Sequence, residues 1–344
     1  MTLPDASAPR FQELARWISE DLGFVDCPVT PASADASFRR YFRVARGAES
    51  FIVMDAPPDK ESLGPYLRVA AILAQIGLNV PRVLARDLER GFLLLTDLGS
   101  RQYLDELAAG RSVERLYADA LGALGTMQTA GREHARDLPA YDREMLTREM
   151  DLMPEWFLRR HLAIDVDASV RAMLERLHEA LLRSAAEQPM TFVHRDYHSR
   201  NLMVVDEDNP GILDFQDAVR GPVTYDLVSL LKDCYIVWPP ERVRAWALRH
   251  RELLRRREFP IDADDALFLR WFDLMGLQRH IKVLGIFCRL FYRDRKPQYL
   301  GDLPRVLAYV RGAAAAYPET AEFAEFLTTR VDADFERAQA RVGT

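Results

Sequence analysis

The feature that most restricts what this chain can fold into is the stretch 192–216, FVHRDYHSRNLMVVDEDNPGILDFQ, with Asp196 in a His-Arg-Asp triplet, Asn201 five positions later, and Asp214 heading an Asp-Phe pair. Residues 202–205 and 212–213 read as two short strands, joined by the turn formers Asp206, Asp208, Asn209, Pro210 and Gly211. A hairpin returns the chain to where it began. Asn201, entering it, is therefore expected beside Asp214, leaving it. One carboxylate to orient and deprotonate a hydroxyl, with two oxygen ligands for a Mg²⁺ ion that neutralises nucleotide phosphates, is the chemistry of phosphoryl transfer. Taken singly, each residue has a commoner structural role: Asp and Asn favour turns and caps, and His194 and His198 read as hydrogen-bonded structural histidines. It is their combination at this spacing that points to chemistry.

A chain of 344 residues exceeds what one hydrophobic core usually organises, so two lobes are expected. The net charge of −6 argues against a general nucleic-acid binder, while leaving room for a local basic pocket. Cys27, Cys234 and Cys288 are far apart, lack metal-ligand spacing, and read as reduced thiols. The start MTLPDASAPRFQ has neither a basic opening nor an apolar run, and no apolar stretch approaches membrane-spanning length. The expectation is a cytoplasmic protein with no membrane and no nucleic-acid partner; its oligomeric state is left open.

Along the chain, Phe11, Leu14, Ala15, Ile18 and Leu22 recur at helical spacing before Gly23. Residues 38–44 and 51–54 then read as strands about a turn at 46–49. Residues 61–76 read as an apolar helix closed by Gly77, with Glu61 near its start favouring the helix dipole. Residues 80–85 and 92–96 form a second hairpin, bringing the sheet to about five strands, and Asp97-Leu98-Gly99 follows. From Gln102 onward the chain reads as largely helical, with helices over 103–107, 113–128, 143–162 and 170–185. Asp226 precedes an apolar helical run as an expected N-cap. Residues 242–258, rich in arginine, read as a solvated face. Residues 271–292 are an apolar helix interrupted by Gln278, Arg279, His280 and Lys282; charges inside such a helix need partners, and Arg279 and Lys282 share a face.

These residues also carry a resemblance. The His-Arg-Asp-x-x-x-x-Asn run with its Asp-Phe resembles the protein-kinase signature. His198, in His-x-Asp-x-His-x-x-Asn, brings it closer to the aminoglycoside phosphotransferase and choline kinase family, and within it to the anomeric sugar kinases of cell-wall recycling, over residues 34–310. The resemblance implies an α+β, two-lobed, protein-kinase-like fold: an antiparallel-sheet lobe over residues 1–98 that covers the nucleotide, and a larger, mostly helical catalytic and substrate lobe over residues 99–344. It implies ATP as co-substrate and Mg²⁺ as cofactor, with Asp196 as catalytic base touching the acceptor, Asn201 and Asp214 as metal ligands, and His194 and Asp226 as supports.

The loop at 33–37 has no glycine, although Ser37 is able to donate to a phosphate, and by register Met54 stands where kinases carry the phosphate-binding lysine. Arg39 or Arg40 is the expected replacement cation. Asp97 and Leu98 fall where the resemblance puts the adenine-binding hinge. Arg279 and Lys282 are expected to help bind an acidic or amide-bearing sugar, with a salt bridge to a carboxylate of the helical lobe as the competing reading. The implied acceptor is the anomeric hydroxyl of N-acetylmuramate or N-acetylglucosamine. An aminoglycoside or choline phosphotransferase and a non-catalytic nucleotide sensor are the alternatives.

Overall fold

The computed structural model describes residues 9–34 and 38–342 of the chain. Ser37 lies outside them. The chain divides into two compact units, one comprising residues 1–102 and 201–217, the other residues 103–200 and 218–344.

In the first unit, helix α1 (Pro9–Arg16) runs into a π-helical turn, Trp17–Asp21. Five strands follow: β1 (Val29–Ala34), β2 (Arg40–Arg46), β3 (Glu49–Asp55), and, after helix α2 (Leu63–Gln75), β4 (Val83–Asp87) and β5 (Phe92–Thr96). They form one antiparallel sheet in the order β1-β2-β3-β5-β4. Side chains alternate across a strand, and the register puts Phe42 opposite Val53 and Val53 opposite Leu94. These three join Leu14, Trp17 and Ile18 in a buried cluster. Arg40 and Asp55 share that face. The other face carries Tyr41, Met54 and Leu93, again paired in register. At the β4–β5 turn, Gly91 has φ +73°, and a Cβ there would lie 2.0 Å from the Ala56 carbonyl oxygen, so only glycine fits.

Helix α2 begins later than the apolar pattern suggests. Ser62 is its N-cap, accepting from the Gly64 amide at 3.3 Å. Glu61 is therefore outside the helix and free to point elsewhere. The remainder of this unit is the short hairpin β7 (Leu202–Met203) and β8 (Gly211–Ile212). It bridges to Asn79 through Gly211, and Tyr66 of α2 meets Phe215 at 4.9 Å between ring centroids.

The second unit is built on helices α3 (Tyr103–Ala108), α4 (Val113–Ala130), α5 (Arg143–Met150) and α6 (Ala168–Ala186), then α7 (Tyr225–Leu231), α8 (Pro240–Arg256), α9 (Asp265–Tyr292), α10 (Leu303–Ala314), α11 (Ala321–Phe326) and α12 (Asp332–Val342). The long helix α9 is buried nearly all round and packs against α5, α6, α7, α8 and α10. The helix expected over 143–162 is interrupted: α5 ends at Met150 and a π-helical segment, Met153–His161, follows with Pro154 at its start. Helix α9 approaches this break closely, since a Cβ on Gly285 would fall 2.4 Å from the Leu152 carbonyl carbon. The second unit also holds a two-stranded ribbon, β6 (Met190–Val193) against β9 (Val219–Pro222), pairing Val193 with Val219. Among the described residues no helix is long and apolar enough to cross a membrane.

Candidate active site

Strand β6 is apolar and buried, and it delivers the chain to His194. There the backbone takes a conformation that side chains resist: Arg195 has φ +79°. A non-glycine residue held there costs about 1–3 kcal/mol and persists only where its surroundings over-determine it. The surroundings are specific. Asp226, in the first turn of α7, accepts from the His194 amide at 2.6 Å and the Arg195 amide at 3.0 Å, one with each carboxylate oxygen. Arg279 of α9 donates to the Arg195 carbonyl at 2.8 Å. The Asp196 amide donates to His194 Nδ1 at 3.2 Å, and Asp233 accepts from the Ser199 amide at 3.0 Å. Asp226 lies inside α7 rather than at its N-cap, which is Thr224; its carboxylate is buried and turned to the loop.

Asp196 projects from this loop with a side chain 40% exposed and its carboxylate 3.7 Å from Arg279. Burial pushes its carboxyl up, but the positive charges of Arg279 and Lys282 outweigh that and hold it well below the usual carboxylate range. Asp226 is the opposite case. Burial pushes it up to about 7, against the pull of the two amides it accepts from. Two carboxyls that meet at one loop are thus driven apart, one held ionised and one raised toward neutral pH.

The cations expected to meet an acceptor have partners of their own. Arg279 is 4% exposed, and beyond Asp196 and the Arg195 carbonyl it donates to the Tyr225 hydroxyl at 3.0 Å. Lys282 is bound by Glu149 at 2.7 Å and donates to the same Tyr225 hydroxyl at 3.2 Å. Glu149 also accepts from Arg195 Nη2 at 2.5 Å and from the Tyr141 hydroxyl. The result is a buried network that fixes Arg195 from its side-chain end while Arg279 fixes it from its carbonyl. The competing reading, a salt bridge within the helical lobe, describes Lys282. Glu149, Tyr141 and Tyr225 were not singled out from the sequence, although Glu149 stood on the apolar stripe of α5 between buried Leu146 and Met150.

In the first unit the Leu213 amide donates to the Asn201 carbonyl at 2.9 Å, which sets the backbone of Asn201 alongside that of Asp214. Asp214 has φ +60°, and its Oδ1 accepts from Gln216 Nε2 at 2.7 Å. Two oxygen-bearing side chains on facing ends of a hairpin suit Mg²⁺, which takes few protein ligands and completes its shell with phosphates and water. Of the two candidate cations, Arg40 faces the α1 side and binds Asp55, which also accepts from Arg10 at 2.7 Å. Arg39 is on the other side, 3.5 Å from Glu61, with Tyr41 and Asp214 near enough to outweigh the effect of burial and raise its pKa. Asp97 accepts from Arg43 Nε at 2.5 Å, Ser50 at 2.8 Å and the Gly99 amide at 2.9 Å, which pins the turn that follows β5. Leu98 lies against Gly211 of the hairpin.

A model of the phosphotransferase enzyme family matches residues 28–259. The chain belongs to the phosphotransferase enzyme family. A relative from Pseudomonas aeruginosa, named N-acetylmuramate/N-acetylglucosamine kinase, is 48% identical over 93% of this chain and 96% of its own. One of the same name from Pseudomonas putida is 44% identical over 92% and 96%. An ADP-bound aminoglycoside phosphotransferase has the same fold, with a TM-score of 0.57 at 13% identity over 88% of this chain and 97% of its own. This member of the phosphotransferase enzyme family is thus an enzyme, a kinase of α+β protein-kinase-like fold.

Proposed function

We propose that this protein is an ATP-dependent amino-sugar kinase that phosphorylates the anomeric hydroxyl of N-acetylmuramate and N-acetylglucosamine in the cytoplasm, for peptidoglycan recycling. The observation that carries the reading is the 48% identity, over nearly the whole of both chains, with a kinase named for these two sugars. The geometry around Asp196 is compatible with it. An ionised carboxylate on a rigid loop orients the hydroxyl and takes its proton as the sugar oxygen bonds to the γ-phosphorus. The bond from that phosphorus to the bridging oxygen breaks, leaving ADP and the sugar 1-phosphate. Little covalent work falls to the protein, so positioning and charge neutralisation provide the acceleration.

Asn201 and Asp214 are the residues that would hold Mg²⁺, and the bound ion supplies positive charge to the phosphate oxygens. Arg39, braced by Glu61, is the cation assigned to the nucleotide phosphates in place of the missing lysine, and the backbone at Asp97 and Leu98 is assigned to the adenine edge.

The test is ADP release with Mg·ATP across N-acetylmuramate, N-acetylglucosamine, glucose, choline and kanamycin, with ³¹P NMR of any product. A doublet from an anomeric phosphate on an amino sugar is the expected result. Turnover with choline or kanamycin alone would keep the base and discard the acceptor.

A further inference from the structure

N-acetylmuramate differs from N-acetylglucosamine by a lactyl ether that ends in a carboxylate. If one site takes both, the carboxylate needs a cation that the neutral sugar leaves unused. Arg279 and Lys282 are unsuited to that role, since their donors are engaged by Asp196, the Arg195 carbonyl, Tyr225 and Glu149. Another cation lies on the loop that carries Asp196. Arg200 is exposed, and its guanidinium lies 4.3 Å from the centroid of the Tyr235 ring. Among the described residues it forms no ion pair; its side-chain partner is Tyr235, and the carboxylate that acts on it, Asp302, is itself bound by Arg305 at 2.6 Å.

The surface around Arg200 is aromatic. Tyr235 packs on Phe287 at 6.4 Å between centroids, and Phe287 on Tyr299 at 5.3 Å, with both tyrosines half-buried. Aromatic walls with a few placed polar groups are the usual lining of small-molecule sites. Tyr235 also meets His198 edge-on at 5.5 Å, and His198 is close enough to Asp196 to feel its charge. One ring thus links the neighbourhood of the base to Arg200. Two polar atoms of this stretch, His198 Nδ1 and Ser199 Oγ, are buried without a hydrogen-bond partner in the protein.

Resting on the amino-sugar reading, we infer that Tyr235 and Tyr299, backed by buried Phe287, form the acceptor wall, and that Arg200 is the residue that binds the acceptor's carboxylate and so sets preference between the acidic and the neutral sugar. A guanidinium stacked on a ring is pre-organised to receive a carboxylate along its free edge.

The experiment is a competition assay giving the ratio of kcat/KM for N-acetylmuramate over N-acetylglucosamine, in wild type, Arg200→Gln and Arg200→Lys. Both sugars compete for the same folded molecules, so partial unfolding of a variant does not move the ratio. Arg200→Gln is expected to lower the ratio by about tenfold to a hundredfold, the worth of a hydrogen-bonded charge, with Arg200→Lys restoring part of it. A ratio within about twofold of wild type in Arg200→Gln overturns the inference, whether both activities persist or fall together. Wild-type turnover of N-acetylglucosamine alone overturns it too. Wild-type inactivity on both sugars would instead overturn the amino-sugar reading on which it rests.

Discussion

Arg39 and Glu61 form a 3.5 Å ion pair between the residue preceding β2 and the residue just outside helix α2. Glu61 also accepts from the Phe38 amide at 3.3 Å, so the carboxylate steadies the start of the strand as well as the guanidinium. In the proposed reading this pair supplies the phosphate-binding cation and its acidic partner, with buried Met54 at the position assigned to the kinase lysine. Arg39→Ala is expected to raise the Michaelis constant for ATP by about tenfold or more. Arg40→Ala is expected to act on stability instead, by about 1–3 kcal/mol, because buried Asp55 loses one of its two arginine partners. Steady-state kinetics and urea denaturation of both variants separate the two roles; equal effects on ATP would refute the assignment.

Asp196→Asn is expected to lower kcat by about 10²–10⁴-fold with little change in nucleotide affinity, measured by calorimetry. Removing its neighbouring charge is a finer probe. Arg279 and Lys282 depress the Asp196 carboxyl, so its ionised form persists as pH falls. With Arg279→Met the carboxyl rises, and the acid limb of kcat/KM moves to higher pH. An acid limb that stays in place while kcat falls would mean that Arg279 acts through the Arg195 carbonyl alone.

Asp226 has the reverse sign. Its folded carboxyl is raised to about 7 by burial, so the stability it contributes is fully present below its ordinary carboxylate range and is lost as pH rises toward 7. In Asp226→Asn this dependence disappears, and the wild-type-minus-variant difference in unfolding free energy declines between about pH 4 and pH 7. The amide also turns a donor toward one of two backbone donors, so kcat is expected to drop by about a hundredfold as the Arg195 turn relaxes.

Glu149→Gln removes the carboxylate hydrogen-bonded to both Lys282 and Arg195 in a buried site, a loss of about 3–5 kcal/mol. Adding Lys282→Met should recover part of it. Denaturation of the two single variants and the double variant gives the coupling, and strict additivity would show that the contacts with Glu149 carry no energy.

Mg²⁺ removal by EDTA is expected to abolish turnover, with Asp214→Asn and Asn201→Ala each shifting the Mg²⁺ concentration for half-maximal rate upward. Unshifted titrations in both variants would require other ligands.

Much of this was legible in the sequence because it was local. The turn formers at 206–211 announced the hairpin, and the runs 38–44 and 51–54 about the turn at 46–49 announced the two strands observed at 40–46 and 49–55. Pairing across distance left little trace: β6 and β9 are joined only after an intervening loop and hairpin, and Glu149 meets Lys282 over 133 residues. Helix α9 starts earlier than the reading at 271 because Asp264 caps it, accepting from the Leu267 amide at 2.8 Å. Telling which of Arg39 and Arg40 meets Asp55 needed the register, since neighbouring residues face opposite ways and only the fold says which side holds Asp55. Arg279 and Lys282 were rightly seen as cations needing partners; identifying those partners took three dimensions.

The first unit is not contiguous in the chain: residues 201–217 belong with residues 1–102. During synthesis the sheet therefore emerges long before the hairpin that bridges to Asn79, and waits through the making of α3 to α6 for its last piece. A fragment ending at 102 would carry the strands without Asn201 or Asp214, the residues here given to magnesium. Cutting the gene at the apparent end of the sheet would thus yield a sheet fragment that lacks both assigned metal ligands, and a useful excision has to splice the later segment back in.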